Sequence, residues 1–389
     1  MRKKIGVLTA TRAEFGLLKP LVLRLMKEDI FETQVLVTGA HLCPEFGYTY
    51  KEIEEAGIPI AARIECVTNG DESEAISRNM AMALEGFGTF FAQNKLDLLI
   101  VLGDRYETMA VCIAAMNAEI PIAHIHGGEL TEGAVDEAIR HSITKMSHLH
   151  FTSTEIYRKR VIQLGEEPCR VFNVGALAVE NTRNNNFLTR QELETYLDFE
   201  FMDKMAVVTF HPVTLDDKRG ISQFEELLTA IDEFKDISFI ITKANADAGG
   251  RAINERIDEF ADMHDNVIAV SSLGVRRYLS AVNESVAVIG NSSSGITEAP
   301  CLHTPTVNIG DRQRGRIMPD SVLCCKPVAD DIVRTIQKAI SDEFQEQVQT
   351  MTNPFGEGKT SESIVDIIKD IFAQNGQIDV VKTFYDLEN

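Results

Sequence analysis

A surplus of positive charge is the first thing missing from this 389-residue chain: 38 Lys and Arg stand against 59 Asp and Glu, a formal net charge of −21. Nucleic acids and anionic membranes need a cationic surface to displace their counterions, so neither is expected as a partner, while a small anion can still bind in a locally positive cleft. Long apolar runs are also lacking. No stretch approaches the roughly 18 residues a membrane helix needs, and the opening Met-Arg-Lys-Lys-Ile-Gly-Val-Leu-Thr-Ala is too poor in apolar residues for a signal-peptide core. Cysteine is sparse. The seven, at 43, 66, 112, 169, 301, 324 and 325, are odd in number and form no Cys-x-x-Cys. That pattern excludes a disulfide framework and a cysteine zinc knuckle, leaving reduced thiols in a cytoplasmic protein as the expectation. No Gly-x-Gly-x-x-Gly follows the first apolar run, so a dinucleotide cofactor is not expected. Gly356-Glu357-Gly358-Lys359-Thr360 looks like a phosphate loop only superficially, because Asn353 stands where the motif needs glycine; it reads as a loop leading into a helix.

What is present is ordinary globular composition, 44% hydrophobic and 25% charged, in a chain long enough for two or three domains at about 150 residues each. Short apolar runs alternate with amphipathic stretches, the pattern of βα units feeding a parallel sheet. Ile5–Leu8, Gln34–Thr38, Leu98–Leu102, Pro121–Ile125, Leu149–Thr152 and Arg170–Val174 read as strands of one doubly wound α/β domain. After a polar stretch containing Asn-Thr-Arg-Asn-Asn-Asn the rhythm restarts, with strands expected at Met205–Phe210, Ile237–Thr242, Asn266–Val270, Val286–Ile289 and Thr306–Ile309. The expected organisation is a first Rossmann-like domain over 1–178, a linker over 179–200, a second Rossmann-like domain over 201–372 and a tail over 373–389 lying on the first domain. Ligands in such folds sit beyond the carboxyl ends of the strands, so the residues just after each strand become the candidates.

Those residues carry chemistry. Thr11-Arg12-Ala13-Glu14-Phe15-Gly16 follows the first strand, and Gly103-Asp104-Arg105 follows the fourth. The next strand runs into His124-Ile125-His126-Gly127-Gly128-Glu129, with Asp136 seven residues further on. Strand alternation would put His124 and His126 on one side, with the double glycine allowing a close ligand approach. A metal shell built on His-x-His lacks further supporting spacing and is not expected. Asp104, Glu129 and Asp136 read instead as an acid/base set, in which repulsion between close carboxylates raises one pKa and separates an acid from a base. In the second half, His211 follows a strand in Phe-His-Pro-Val-Thr, and Gly290-Asn291-Ser292-Ser293-Ser294-Gly295 joins a strand to a helix that carries Glu298. Small hydroxyl residues and helix-start N–H groups suit a diphosphate, and a carboxylate suits ribose hydroxyls.

In this order, Thr-Arg-Ala-Glu-Phe-Gly, Leu-Gly-Asp-Arg, His-Gly-Gly-Glu, Asp-Glu-Ala-Ile-Arg-His, His-Pro-Val-Thr and Gly-Asn-Ser-Ser-Ser-Gly resemble the UDP-N-acetylglucosamine 2-epimerase family, in particular its hydrolysing branch. The resemblance spans nearly the whole chain. It implies two Rossmann-like domains in a glycosyltransferase-B-like arrangement, an active site in the cleft between them, a homodimer or homotetramer, and no metal or organic cofactor. It implies UDP-sugar contacts from Arg12, Gly16, Arg105, His211, Asn245, Asn291, Ser292, Ser293, Glu298 and Arg312. It also implies that Asp104 and Asp136 hold the catalytic carboxylate positions and that His211 stabilises the departing diphosphate. Many relatives carry glutamate at the position of His126, which leaves both His126 and Glu129 as candidates for the second proton transfer. The implied reaction converts UDP-N-acetylglucosamine to UDP and N-acetylmannosamine, a step of sialic acid synthesis, by loss of UDP to a glycal followed by addition of water. The same motifs would serve UDP-N,N'-diacetylbacillosamine. A glycosyltransferase of the same fold is the alternative of another class.

Overall fold

Parallel β-sheets organise the protein, as described by a computed structural model covering residues 2–67, 72–130, 135–211, 217–243, 250–271 and 273–387. The chain forms two compact units, Met1–Asn181 with Phe355–Asn389, and Thr182–Pro354.

The first unit contains β1 (Lys3–Thr9), α1 (Arg12–Lys27), β2 (Phe31–Val37), α2 (Tyr50–Glu55), β3 (Ile60–Arg63), α3 (Ser73–Gln93), β4 (Leu98–Leu102), α4 (Tyr106–Asn117), β5 (Ile122–Ile125), α5 (Val135–Met146), β6 (Leu149–Thr152), α6 (Glu155–Gln163), β7 (Val171–Asn173) and α7 (Leu177–Arg183). Its seven strands pair in the order β3-β2-β1-β4-β5-β6-β7, and every pairing is parallel. Sandwiched between helical layers, β4 buries all five of its apolar residues. Strand order reverses between β1 and β4, and a doubly wound sheet opens its crevice at the carboxyl ends of such a pair. The turns 10–12 and 103–105 are therefore at the edge where ligands bind.

Helix α1 begins at Arg12, directly after the turn that follows β1. Thr11 caps it: its hydroxyl accepts from Glu14 N at 3.3 Å, while the Glu14 carboxylate accepts from Thr11 N at 3.1 Å and Ala10 N at 2.7 Å. Pro20 inside α1 has no N–H to offer the carbonyl of Gly16, and that carbonyl accepts instead from Asn181 Nδ2 at 2.8 Å.

The second unit contains α8 (Arg190–Leu197), β8 (Lys204–Thr209), α9 (Asp217–Ile231), β9 (Ile237–Thr242), α10 (Gly250–Met263), β10 (Val267–Val270), α11 (Gly274–Glu284), β11 (Ala287–Gly290), α12 (Ser294–Thr297), β12 (Thr306–Ile309), β13 (Val322–Cys325), α13 (Ala329–Ala339) and α14 (Asp342–Gln349). Its parallel sheet runs β10-β9-β8-β11-β12-β13, reversing between β8 and β11. At that reversal the backbones approach closely. Gly290 has φ 136°, and a Cβ there would lie 2.0 Å from the Thr209 carbonyl oxygen, so no other residue fits.

One boundary differs from the expectation of a second domain over 201–372. The last helix, α15 (Thr360–Asn375), belongs to the first unit, where Ile364, Val365, Ile368 and Phe372 join a core with Leu18, Leu21, Leu25 and Phe31. The re-entry is fixed by backbone and side-chain bonds: Ala176 N donates to Phe355 O at 2.8 Å, Thr360 Oγ1 to Ala176 O at 3.1 Å, and Ser361 N to Glu180 Oε2 at 2.7 Å. The stretch expected as a linker is largely helical, containing most of α7 and all of α8. Beyond α15 the tail stays on the first unit. Arg170 donates to the carbonyls of Asp379 and Val381 at 2.9 and 3.0 Å, and Tyr385 N donates to Gly165 O at 3.0 Å. Lys382 Nζ reaches the carbonyls of Lys145 and Ser147 at 2.8 and 2.6 Å and the buried Glu166 carboxylate at 2.7 Å. Among the described residues no helix is long and apolar enough to cross a membrane.

Candidate active site

Four of the polar residues singled out above gather in the first unit where β4 and β5 end. Asp104 comes off β4 through Gly103. His126 and Glu129 come off β5, and Asp136 stands in the first turn of α5. At their centre is Arg140, one helical turn beyond Asp136 and only 6% exposed. Its guanidinium donates to Asp104 Oδ2 and, through Nη1, to the His126 carbonyl at 3.2 Å; Nη1 also lies 3.6 Å from Glu129 Oε2. Glu129 Oε1 accepts from Ser153 Oγ at 2.7 Å and lies 3.7 Å from His126 Nδ1. Burial raises the Asp104 carboxyl above its ordinary value. Arg140 opposes that shift, Asp136 and Glu129 add to it, and His126 opposes it. A carboxyl that is half-buried, hydrogen-bonded and flanked by further carboxylates is suited to moving a proton.

The two histidines of the β5 motif have separate roles. His126 lies beyond the strand in the left-handed region at φ 66°, which breaks the alternation that would have put it beside His124. Its Nε2 is buried with no hydrogen-bond partner among the described residues. His124 is fully buried, with Nε2 2.7 Å from the Gly103 carbonyl and Nδ1 3.1 Å from Thr144 Oγ1. Burial pulls it down to about 3, so it is neutral. The double glycine likewise serves packing. A Cβ on Gly128 would sit 2.6 Å from the Tyr157 carbonyl, and one on Gly127 would sit 3.1 Å from both His124 Nδ1 and Thr144 Oγ1. Among the described residues no three His, Cys, Asp or Glu side chains are arranged to hold a metal ion.

A second polar group lies across the β1–β4 reversal. Arg105 opens α4 and donates from Nε and Nη2 to Glu107 at 3.1 and 2.9 Å. Glu107 is fully buried. Burial works against the Arg105 charge, but the fork of hydrogen bonds to Glu107 raises its pKa regardless. Burial raises the neighbouring Glu14 carboxyl to about 7, against the pull of its backbone hydrogen bonds and Arg105. Arg12 is exposed and pairs with Glu52 at 2.8 Å. Gly16 is exposed, with open space where a Cβ would be.

In the second unit, Asn291 ties the strand ends together. Its side-chain oxygen accepts from His211 N and its Nδ2 donates to His211 O, both at 2.8 Å. Its own carbonyl accepts from Arg312 Nη1 at 3.0 Å and from Gln313 Nε2 at 2.8 Å. Expected as a ligand contact, Asn291 is buried, with its side-chain amide hydrogen-bonded to the His211 backbone. Ser292 and Ser293 are half-buried at the entrance to α12, a single turn, and Ser292 Oγ accepts from Ser294 N at 3.4 Å. Glu298 accepts from Thr297 Oγ1 at 2.6 Å. Asn245 lies outside the described residues, as do positions 212–214 of the His211 motif. Four side chains that hold the site were not singled out in the sequence: Arg140, Glu107, Ser153 and Gln313. Arg140 had a signal, being four residues from Asp136 and so on the same helix face.

Polar groups gathered at the strand-order reversals of two Rossmann-like units define a class of α/β ligand-binding proteins. Residues 23–369 match the profile of the UDP-N-acetylglucosamine 2-epimerase family, and the chain belongs to that family. It is 41% identical over 346 residues, 89% of each chain, to the GDP/UDP-N,N'-diacetylbacillosamine 2-epimerase (hydrolyzing) of Campylobacter jejuni. It is 40% identical over 386 residues, 99% of this chain and 98% of the other, to polysialic acid biosynthesis protein P7 of Escherichia coli. The fold is shared with the UDP-GlcNAc 2-epimerase of Neisseria meningitidis, crystallised with UDP-GlcNAc, at TM-score 0.77 and 18% identity, covering 94% of this chain and 100% of that one.

Proposed function

We propose that the protein is a hydrolysing 2-epimerase of a UDP-activated 2-acetamido sugar, and that UDP-N,N'-diacetylbacillosamine is its substrate. The observation that carries the reaction type is the Asp104–Arg140–Glu129 cluster with His126 beside it. The hydrogen at C2 of such a sugar is not adjacent to a carbonyl, so a base alone removes it poorly. Breaking the C1–O bond to UDP gives the ring positive character at C1; loss of the C2 proton then leaves a glycal. Water adds at C1 and an acid returns a proton to the opposite face of C2, yielding UDP and the 2-epimer. Two proton carriers are needed, and Asp104, Asp136, Glu129 and His126 are the groups available. Arg12, Gly16, Arg105, His211, Asn245, Asn291, Ser292, Ser293, Glu298 and Arg312 are proposed as the UDP-sugar contacts. Among them, the cations and His211 would offset charge on the departing diphosphate.

The name of the 41% identical relative supports the diacetylated substrate. UDP-N-acetylglucosamine is the second reading, supported by the ligand of the Neisseria structure. Incubation with each sugar nucleotide, followed by NMR of the products, tests both. The expected result is release of UDP with the 2-epimer from both, and a kcat/KM favouring the diacetylated sugar by about tenfold or more, since a site built around an amide rejects a hydroxyl. The reverse preference supports the second reading. Release of UDP only with an added acceptor identifies a glycosyltransferase and overturns both.

A further inference from the structure

Asp104 is held from two directions, by Arg140 of α5 and, through the preceding peptide, by His124 of β5, which Thr144 of α5 in turn contacts. Arg140 grips the carboxylate and at the same time the His126 carbonyl. One turn further along α5, Thr144 Oγ1 lies 3.1 Å from His124 Nδ1, and His124 Nε2 lies 2.7 Å from the carbonyl of Gly103, the residue before Asp104. A carbonyl only accepts, so Nε2 carries the ring proton and Nδ1 accepts. Thr144 Oγ1 is also 3.0 Å from the Arg140 carbonyl, and because the hydroxyl has one proton, donating it to Nδ1 withdraws it from that carbonyl. Gly127 leaves the room the His124–Thr144 pair occupies. His124 and Thr144 are both fully buried, neither is among the proton carriers, and the neutral state of His124 keeps this arrangement across the working pH range.

We propose that Arg140, Thr144 and His124 are positioning residues for Asp104: Arg140 fixes its carboxylate, and the Thr144–His124 pair fixes the peptide that precedes it. The inference rests on the epimerase reading for the consequence of misplacing Asp104, but the placement itself can be tested without turnover. A shift of about 1 Å in a catalytic group costs on the order of 10²-fold in rate. Arg140→Lys and His124→Leu are therefore each expected to lower kcat by about 10²-fold, with KM and the Kd for UDP within about threefold of wild type. His124→Gln, whose amide can still donate to the Gly103 carbonyl, is expected to recover about tenfold of that loss. Thr144→Val, which deletes one hydroxyl, provides a gentler variant in case His124→Leu does not fold, with kcat lowered about tenfold. In crystal structures of the kcat-impaired variants the Asp104 carboxylate should be displaced by about 1 Å. Folded variants that keep wild-type kcat, or that lose UDP affinity in parallel with kcat, would overturn the proposal, as would an Asp104 carboxylate in its wild-type place in all of them. Absence of turnover by the wild-type enzyme on either sugar nucleotide overturns the epimerase reading alone, and the crystallographic comparison still decides the positioning.

Discussion

Replacing Asp104 by asparagine is expected to lower kcat by about 10²–10⁴-fold, the range that a positioned proton carrier contributes, while UDP still binds. Asparagine keeps the shape of the side chain and an oxygen for Arg140, so the geometry of the cluster survives while the proton carrier does not. Stability should not fall with activity. Burial raises the Asp104 carboxyl in the folded protein, so its charged form disfavours folding at neutral pH, and a neutral amide removes that cost. Arg140 meanwhile keeps the His126 carbonyl and Glu129. Measuring kcat, the Kd for UDP and Tm together checks this; near-normal turnover would remove Asp104 from the mechanism.

The largest expected effect on stability lies away from the site. The Glu166 side chain is fully buried and joins Lys145 at 2.6 Å, Lys382 at 2.7 Å and the equally buried His150 at 3.0 Å. Glu166→Ala leaves two ammonium groups and an imidazole facing one another without an anion, at a cost of about 3–5 kcal/mol. Urea unfolding of the first unit measures it; a loss under about 1 kcal/mol would contradict the account. The pH dependence has a definite sign. Burial alone would raise the Glu166 carboxyl, but His150, Lys145 and Lys382 together bring it down to about 2 from an ordinary 4.5. A carboxyl lowered by folding stabilises the protein above its unfolded pKa. That contribution, about 3 kcal/mol, is lost as pH falls from about 4.5 to about 2. The alanine variant should lack this part of the acid transition.

Much of the fold could be read from apolar runs, and the exceptions have physical reasons. The interior strand β4 coincides with the run Leu98–Leu102, unbroken because it is buried on both faces, while β9 and β12 coincide with Ile237–Thr242 and Thr306–Ile309, which are mainly apolar but include Ser238, Thr242, Thr306 and Asn308. The edge strands β3 and β13 escaped that reading. Ile60–Arg63 alternates half-buried with exposed residues, and Val322–Cys325 is nowhere fully buried, so neither has the signature of an interior strand. The place of α15 depended on contacts over long sequence separations, such as Thr360 to Ala176, which no local pattern encodes. In the candidate site Asp104, His126 and Glu129 were legible as polar residues at strand ends. The placement of His126 on the same side as His124 failed because alternation was carried past the end of β5, where the backbone turns to positive φ at His126. Arg140 was part of a recognised motif, yet a sequence does not say which charge of an amphipathic helix turns inward; its burial against Asp104 decides that. Gly290 was read as part of a ligand turn, and the structure adds a second reason for it, the contact with Thr209.

The central claim is that the first unit moves protons at C2 of a UDP-activated sugar, and turnover in deuterium oxide tests it most directly. The sugar nucleotide is incubated with the enzyme in heavy water without an acceptor, and the product sugar is analysed by mass spectrometry and NMR. The account predicts free UDP and a 2-epimer carrying one solvent-derived deuterium at C2. Product epimerised without deuterium at C2, or UDP released with the original configuration retained at C2, would contradict it.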